Sequence, residues 1–354
     1  MKRFAVVMAG GSGERFWPMS KPGRPKQMLR LTRPDQTMLD EAVTRAEPLV
    51  GADQVLIATS VALRDPFISA GYAADQVVAE PAKRNTLGCL CWVAATLVAR
   101  GHEDATVGVL TADHRIEDPE LFRTNCQTAF EIAEQKGGIV TLGIQPTRAE
   151  TGFGYIEADT ASEFATESGS GQKAVRFLEK PDLETANKFL AAGNYLWNGG
   201  MFFFTLGSFL GELESSQPDS RVIVDEIATA LKAGDEDGAK VAFEKLPNIS
   251  VDFAVMERAK SVYVVRAEFA WDDVGSWDAM ERSRPADENN NVVEGRVAMV
   301  DTEGSILWNT IPDIAVGVVG LKDIIVIATP DGILVCPKSE AQKVRAVSIK
   351  VREL

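Results

Sequence analysis

Short apolar runs alternate with longer helical patterns over the first 145 residues, and that alternation limits the fold more than any other feature of the chain. Residues 4–9 form an apolar run that breaks into Gly10-Gly11-Ser12-Gly13, the pattern of a buried strand ending in a loop. Thr37-Met38-Leu39-Asp40 has the form of a capped helix start, and apolar residues continue at helical spacing to Leu49. Strands are predicted at 54–59, 76–80, 106–111 and 139–142, and helices at 86–100 and 121–136. Such an order requires a mostly parallel sheet with helices on both faces, an α/β architecture.

The rhythm changes after Gly143. Residues 150–180 are rich in Gly, Thr and aromatics and read as antiparallel strands inserted over the sheet. Helical patterns return at 182–192, 209–213 and 222–246. Beyond the polar stretch Asp287-Glu288-Asn289-Asn290-Asn291, short β segments at 296–300, 314–319, 324–328 and 333–335 follow with few helical signals. Two domains are expected, 1–286 and 287–354, the second all-β.

An apolar fraction of 45% and a charged fraction of 25% are ordinary for a soluble globular protein. The N-terminus is too soon interrupted by glycine to be an export signal, and no apolar run approaches a membrane span. A cytoplasmic protein without a membrane partner is expected. Cys89, Cys91, Cys126 and Cys336 form no metal pattern and read as buried thiols. The net charge of −14 argues against nucleic acid, whose phosphates need a basic surface. Residues 1–33 nevertheless hold eight Lys and Arg against the single acid Glu14, a local +7. That patch suits a small polyanion as well as it suits a solvated surface.

The first loop contains Gly10-Gly11-Ser12-Gly13-Glu14-Arg15, and Pro25-Lys26-Gln27 follows. Glycines let backbone N–H groups close on phosphate oxygens, Arg15 can clamp a phosphate with its fork, and Lys26 adds a point charge. Phe16 stands where a dinucleotide fingerprint needs glycine, and the second strand ends in Ala58-Thr59 rather than an acid. The Gly-Lys-Ser/Thr of a P-loop is also missing.

Ala9 to Leu29 (AGGSGERFWPMSKPGRPKQML) resembles the opening motif of the sugar-1-phosphate nucleotidylyltransferase family. Its Phe-Trp-Pro and Pro-Lys-Gln parts resemble the branch that acts on GTP and mannose 1-phosphate. The likeness continues through Glu80-Pro81-Ala82-Lys83-Arg84-Asn85-Thr86, Ala112-Asp113-His114, Gly152-Phe153-Gly154-Tyr155 and Phe177-Leu178-Glu179-Lys180-Pro181. It extends to Trp197-Asn198-Gly199-Gly200-Met201-Phe202, Val251 to Glu257, and Asp273-Val274-Gly275-Ser276-Trp277. More loosely, Val316 to Asp323 and Leu334 to Lys338 resemble the short β-helical domain of the compact bacterial form.

The resemblance implies a Rossmann-like nucleotidyltransferase domain and a small left-handed β-helix-like domain. Because one small sheet would hardly bury the continuous apolar strands of residues 287–354, that domain is expected to mediate self-association, as a homodimer. The isomerase module of some longer relatives is expected to be absent. It further implies in-line attack of a sugar phosphate oxygen on the α-phosphorus of an NTP with loss of pyrophosphate. Such chemistry needs charge neutralisation and alignment rather than a nucleophile, which agrees with a chain holding two histidines. By the same resemblance, Arg15, Lys26, Asp113 and Asp273 are the catalytic residues, with Asp113 and Asp273 holding Mg²⁺. Gly10, Gly11, Ser12, Gly13, Glu80, Asn85 and Thr86 would bind the nucleotide, and Gly154, Glu179, Lys180 and Asn198 the sugar phosphate. Gly199 departs from the branch by standing where serine is usual.

Overall fold

A computed structural model describes all residues, Met1–Leu354. They fall into two compact units. The first comprises Met1–Gly10, Val43–Thr111 and Glu117–Ala270, the second Gly11–Ala42, Ala112–Ile116 and Trp271–Leu354. No helix is long and apolar enough to cross a membrane.

The first unit is built on a nine-stranded sheet. Its strands are β1 (Arg3–Met8), β2 (Val55–Ser60), β3 (Val77–Glu80), β4 (Thr106–Thr111), β5 (Ile139–Ile144), β6 (Tyr155–Ala165), β7 (Ser170–Leu178), β8 (Tyr195–Thr205) and β9 (Val262–Arg266). They lie in the order β3-β2-β1-β4-β8-β5-β9-β7-β6. The strands β3, β2, β1 and β4 pair in parallel, as their continuous apolar runs predict for strands buried on both faces. Register aligns Met8 with Thr111, so β1 and β4 end side by side before the chain continues into Gly10–Gly13 and Asp113. The other half is mixed. Strand β8 runs antiparallel between β4 and β5, while β6 and β7 form an antiparallel hairpin.

Two expectations need correction here. The 150–180 segment extends the edge of the sheet rather than lying over it, because β7 pairs with β9 in the plane. The helix expected at 222–246 is two helices, Pro218–Lys232 and Glu236–Phe243. Gly234 interrupts them at φ +75°, and the Asp235 carboxylate caps the second by accepting from Gly238 N at 2.9 Å. Strand β8 escaped prediction because its Asn198-Gly199-Gly200 reads as a turn. A Cβ on Gly199 would stand 2.8 Å from the Leu142 carbonyl oxygen, which accounts for glycine instead of serine at this position. Met201 to Phe204 are buried, as their composition suggests.

The second unit holds the predicted β segments as β10 (Val292–Glu294), β11 (Val297–Val300), β12 (Ile306–Asn309), β13 (Val316–Val319), β14 (Ile324–Thr329) and β15 (Gly332–Pro337). Parallel pairing of β10, β12 and β14, and of β11 with β13, stacks successive coils without intervening helices, a β-helix-like arrangement. Asn291 and Asn309 close the coils from inside through their side-chain amides, donating to Thr302 O and to Ile314 O. A terminal helix, Val344–Val351, was not foreseen, because its apolar residues are mostly β-branched.

One core joins the segments of this unit. Phe16, Met19, Leu29 and Leu31 pack with Val274, Trp277 and Met280 and with Ile306, Trp308, Ile325 and Val344. The Trp277 indole N–H donates to Trp17 O at 3.0 Å. The capped helix start is present as read: Asp40 N donates to Thr37 Oγ1 at 3.1 Å, and Thr37 N to Asp40 Oδ2 at 2.9 Å.

Candidate active site

The second unit contains an open cavity of about 320 Å³, lined by Gly11–Phe16, Lys26, Asp113, His114, Asp273, Gly275 and Arg345. Its floor depends on Gly13. This residue sits at φ +64°, and a Cβ there would lie 2.4 Å from the Lys26 Cβ, so only glycine lets the loop press on Lys26. Gln27 Nε2 donates to Gly11 O at 3.1 Å and Ser20 Oγ to Gly13 O at 2.7 Å, fixing the loop from below.

Lys26 is buried, and its ammonium donates to Asp113 Oδ2 at 3.0 Å and to Asp273 O at 2.8 Å. Arg15 is exposed and donates through Nη1 to Gly275 O at 3.0 Å. The two carboxylates are poised in opposite directions. Burial would raise the Asp113 carboxyl, but the Lys26 charge, with His114 and the Lys26 hydrogen bond, holds it below the usual range. Asp273 is pushed up to about 6, chiefly by burial, with Asp272 and Asp113 adding repulsion that Lys26 only partly offsets. The turn that presents Asp273 is strained: Val274, a β-branched residue, adopts φ +46° and donates its N–H to Asp272 Oδ1 at 2.8 Å. Arg282 holds Asp272 in turn.

The first unit carries two further groups of the expected residues. Glu80, at the end of β3, is buried with Oε2 unpartnered, and burial pushes its carboxyl up to about 7 against the opposing charge of Lys83. Asn85 stands at φ +58° and accepts from Thr86 N at 2.8 Å. The Thr86 hydroxyl accepts from Val251 N at 2.9 Å, so this side chain ties the helix start to a distant turn.

Gly154, Glu179, Lys180 and Asn198 come together. A Cβ on Gly154 would stand 2.5 Å from Glu179 Oε2, and Asn198 N donates to Gly154 O at 2.8 Å. Lys180, at φ +48°, pairs with the Glu179 carboxylate. Lys180 and Val274 are the only residues other than Asn, Asp or Gly with positive φ, and both lie in motifs singled out from the sequence.

Several members of these groups had been given no role. Asn198 Nδ2 donates to Asp252 Oδ1 at 2.9 Å, and the Asp252 carboxyl is raised to about 6 by burial, with Glu179 adding to it. Glu257 accepts from Glu179 N at 3.1 Å. Both acids lie in the Val251 to Glu257 motif, whose run of apolar residues around two acids was the available signal. Nothing in the sequence pointed to Arg345, some 330 residues from the loop it meets.

The elevated Glu80 carboxyl gives a testable pH dependence. A glutamate in the unfolded chain loses its proton near 4.5, whereas folded Glu80 keeps it to about 7. Its ionisation therefore opposes folding: the contribution is full below about pH 4.5, declines between 4.5 and 7, and stays lower above. Glu80→Gln should match the parent near pH ~4 and be more stable by about 1–3 kcal/mol at pH ~8, read from urea unfolding. An advantage independent of pH would refute the assignment.

Comparison with known proteins places the chain. The Nucleotidyl transferase family matches residues 4–290, and the MannoseP isomerase/GMP-like beta-helix domain matches residues 295–354. Mannose-1-phosphate guanylyltransferase of Escherichia coli K12 is 36% identical over 99% of this chain and 74% of its own length. The Klebsiella pneumoniae protein of the same name is 33% identical, over 96% and 72%. A Thermus thermophilus protein named mannose-1-phosphate geranyltransferase is 34% identical, with a TM-score of 0.86 over 99% of this chain and 100% of that one. The chain is therefore a nucleotidyltransferase of the Nucleotidyl transferase family, in the group formed by the mannose-1-phosphate guanylyltransferases.

Proposed function

We propose that the chain transfers GMP from GTP to α-D-mannose 1-phosphate, giving GDP-mannose and pyrophosphate. The observation that carries this reading is likeness to mannose-1-phosphate guanylyltransferases along nearly the whole chain, together with a cavity whose cations face two carboxylates. The loop 10–13 takes the nucleotide phosphates on its N–H groups, and Arg15 and Lys26 hold the outer oxygens. Glu80 accepts from the guanine N–H groups, with Asn85 and Thr86 shaping that wall. Glu179 and Asn198 receive sugar hydroxyls beside Gly154, and Lys180 holds the sugar phosphate. The reaction is in-line displacement at the α-phosphorus by a phosphate oxygen already ionised at neutral pH. The residues therefore align and neutralise rather than attack.

Nucleotidyltransferases of this family generally use a divalent metal ion, and the metal proposed here is Mg²⁺ on Asp113 and Asp273. No three His, Cys, Asp or Glu side chains are gathered so that they could hold a metal ion. Magnesium needs none, because it commonly takes one or two carboxylates and completes its shell with substrate phosphates and water. The repulsion that lifts Asp273 next to Asp113 and Asp272 is the charge imbalance a cation relieves. Bound there, the ion would neutralise phosphate charge and orient the displacement.

Residues 1–286 form the catalytic domain in this reading, and residues 287–354 the self-association domain of a cytoplasmic homodimer without nucleic-acid or membrane partners. Exposed Ile333 and Val335, on the edge strand β15, support a second copy as the partner. By sedimentation the protein should be a dimer and the Ile333→Lys, Val335→Lys double variant a monomer; a monomeric parent refutes this.

A pyrophosphate-release assay over a grid of NTPs and sugar 1-phosphates tests the reaction. GTP with mannose 1-phosphate should give the highest kcat/KM, and preference for UTP or dTTP would overturn the assignment while leaving the reaction class.

Asp113→Asn and Asp273→Asn should each lower kcat by about 10²-fold or more, and the double variant little further, since the two act as a unit. Circular dichroism checks folding. Near-normal activity of Asp273→Asn at low Mg²⁺ would move the second ligand elsewhere.

A further inference from the structure

We propose that Arg345, on the terminal helix, is a phosphate-binding residue that exchanges its Glu14 carboxylate for the β,γ-phosphates of GTP and, in the reverse direction, for pyrophosphate. The inference rests on the GTP reading above.

Arg345 lines the same cavity as Gly11–Gly13, Arg15, Lys26, Asp113 and Asp273. Charge balance favours it, beyond the Mg²⁺ proposed above. Without it the lining carries two fixed cations, Arg15 and Lys26, against three acids, Glu14, Asp113 and Asp273. Lys26 is further committed to Asp113 and to the Asp273 carbonyl, so little positive charge is left for a triphosphate.

The arrangement also allows the exchange. Arg345 Nε meets Glu14 Oε2 at 3.1 Å, while Arg352 binds the other oxygen, Oε1. Glu14 therefore keeps a partner when Arg345 leaves. With its side chain 65% exposed, Arg345 sits in an ion pair of small net strength, which a forked hydrogen bond to phosphate can replace.

The helix that delivers Arg345 is fixed. Val344 and Ala341 are buried in the core that contains Phe16 and Trp277. Gln342 Nε2 donates to Ser276 Oγ at 2.9 Å, on the turn that presents Asp273. The terminal segment thus touches both the glycine loop and the Asp273 turn, the two walls of the cavity.

The test uses the full chain and the variants Arg345→Ala, Arg345→Lys and Arg352→Ala. Kinetics are run forward with GTP and mannose 1-phosphate and in reverse with pyrophosphate and GDP-mannose. Mg²⁺-pyrophosphate binding is measured by calorimetry and folding by thermal unfolding. Arg345→Ala should raise KM for GTP and pyrophosphate about 10–100-fold, as for loss of a charge-assisted hydrogen bond. KM for mannose 1-phosphate and GDP-mannose should stay within about twofold. Arg345→Lys should recover part of the loss, and Arg352→Ala should resemble the parent.

Unchanged GTP and pyrophosphate constants in an active Arg345→Ala overturn the proposal. So does an equal rise in Arg352→Ala, which would mean that both arginines only dock the helix. A parent inactive with GTP and mannose 1-phosphate overturns the functional reading instead. Calorimetry then decides the present inference by itself: weaker pyrophosphate binding in Arg345→Ala supports it, and equal binding, or none in the parent, refutes it.

Discussion

The second unit depends on one buried ammonium. Lys26 brings its charge to the Asp113 carboxylate and the Asp273 carbonyl, so three segments far apart in sequence must close around it. A buried charge without partners would cost several kcal/mol, which makes the closure obligatory rather than incidental. Gly13 lets the loop sit directly on that side chain. The same charge keeps Asp113 ionised, while burial, with repulsion from Asp272 and Asp113, leaves Asp273 the more easily protonated. Two otherwise alike carboxylates thus differ, through their surroundings alone, in how readily each takes up a proton.

The expected residues fall into separately built groups, each fixed by local means. The cavity-lining groups hang on Gly13, Lys26 and the strained Asp272–Gly275 turn. Gly154, Glu179, Lys180 and Asn198 are held by the backbone of β8 and by Asp252 and Glu257. Unfavourable backbone at Lys180 and Val274 persists only where surrounding contacts determine it. Glycine would adopt either conformation more readily, so conformation alone does not account for the side chains found there.

The parallel half of the sheet was legible because β1 to β4 are buried on both faces and their apolar runs are unbroken. Helix starts were legible through capping chemistry, as at Thr37 and Asp40. Strand β8 was not, since its Gly199 answers to crowding by Leu142, a contact between strands more than fifty residues apart. The glycine loop, Lys26 and the two aspartates stood out as motifs, and all but Gly10 line one cavity. Arg345 and Glu14 did not, because an ion pair closing a gap of 331 residues leaves no local periodicity. Periodicity reports burial against near neighbours; it carries no information about which distant charge a side chain meets.

The single core joining Phe16, Leu29 and Leu31 to Trp277, Trp308 and Ile325 has a consequence for heredity. The last sixty residues look like a module that recombination could trade between relatives. Their interior, however, is completed by side chains encoded at the other end of the gene. A chimera that exchanges the β coils alone would set foreign shapes against Phe16, Leu29 and Leu31. The inherited piece is the packed core, and a viable exchange would have to carry residues 11–42 along with the coils.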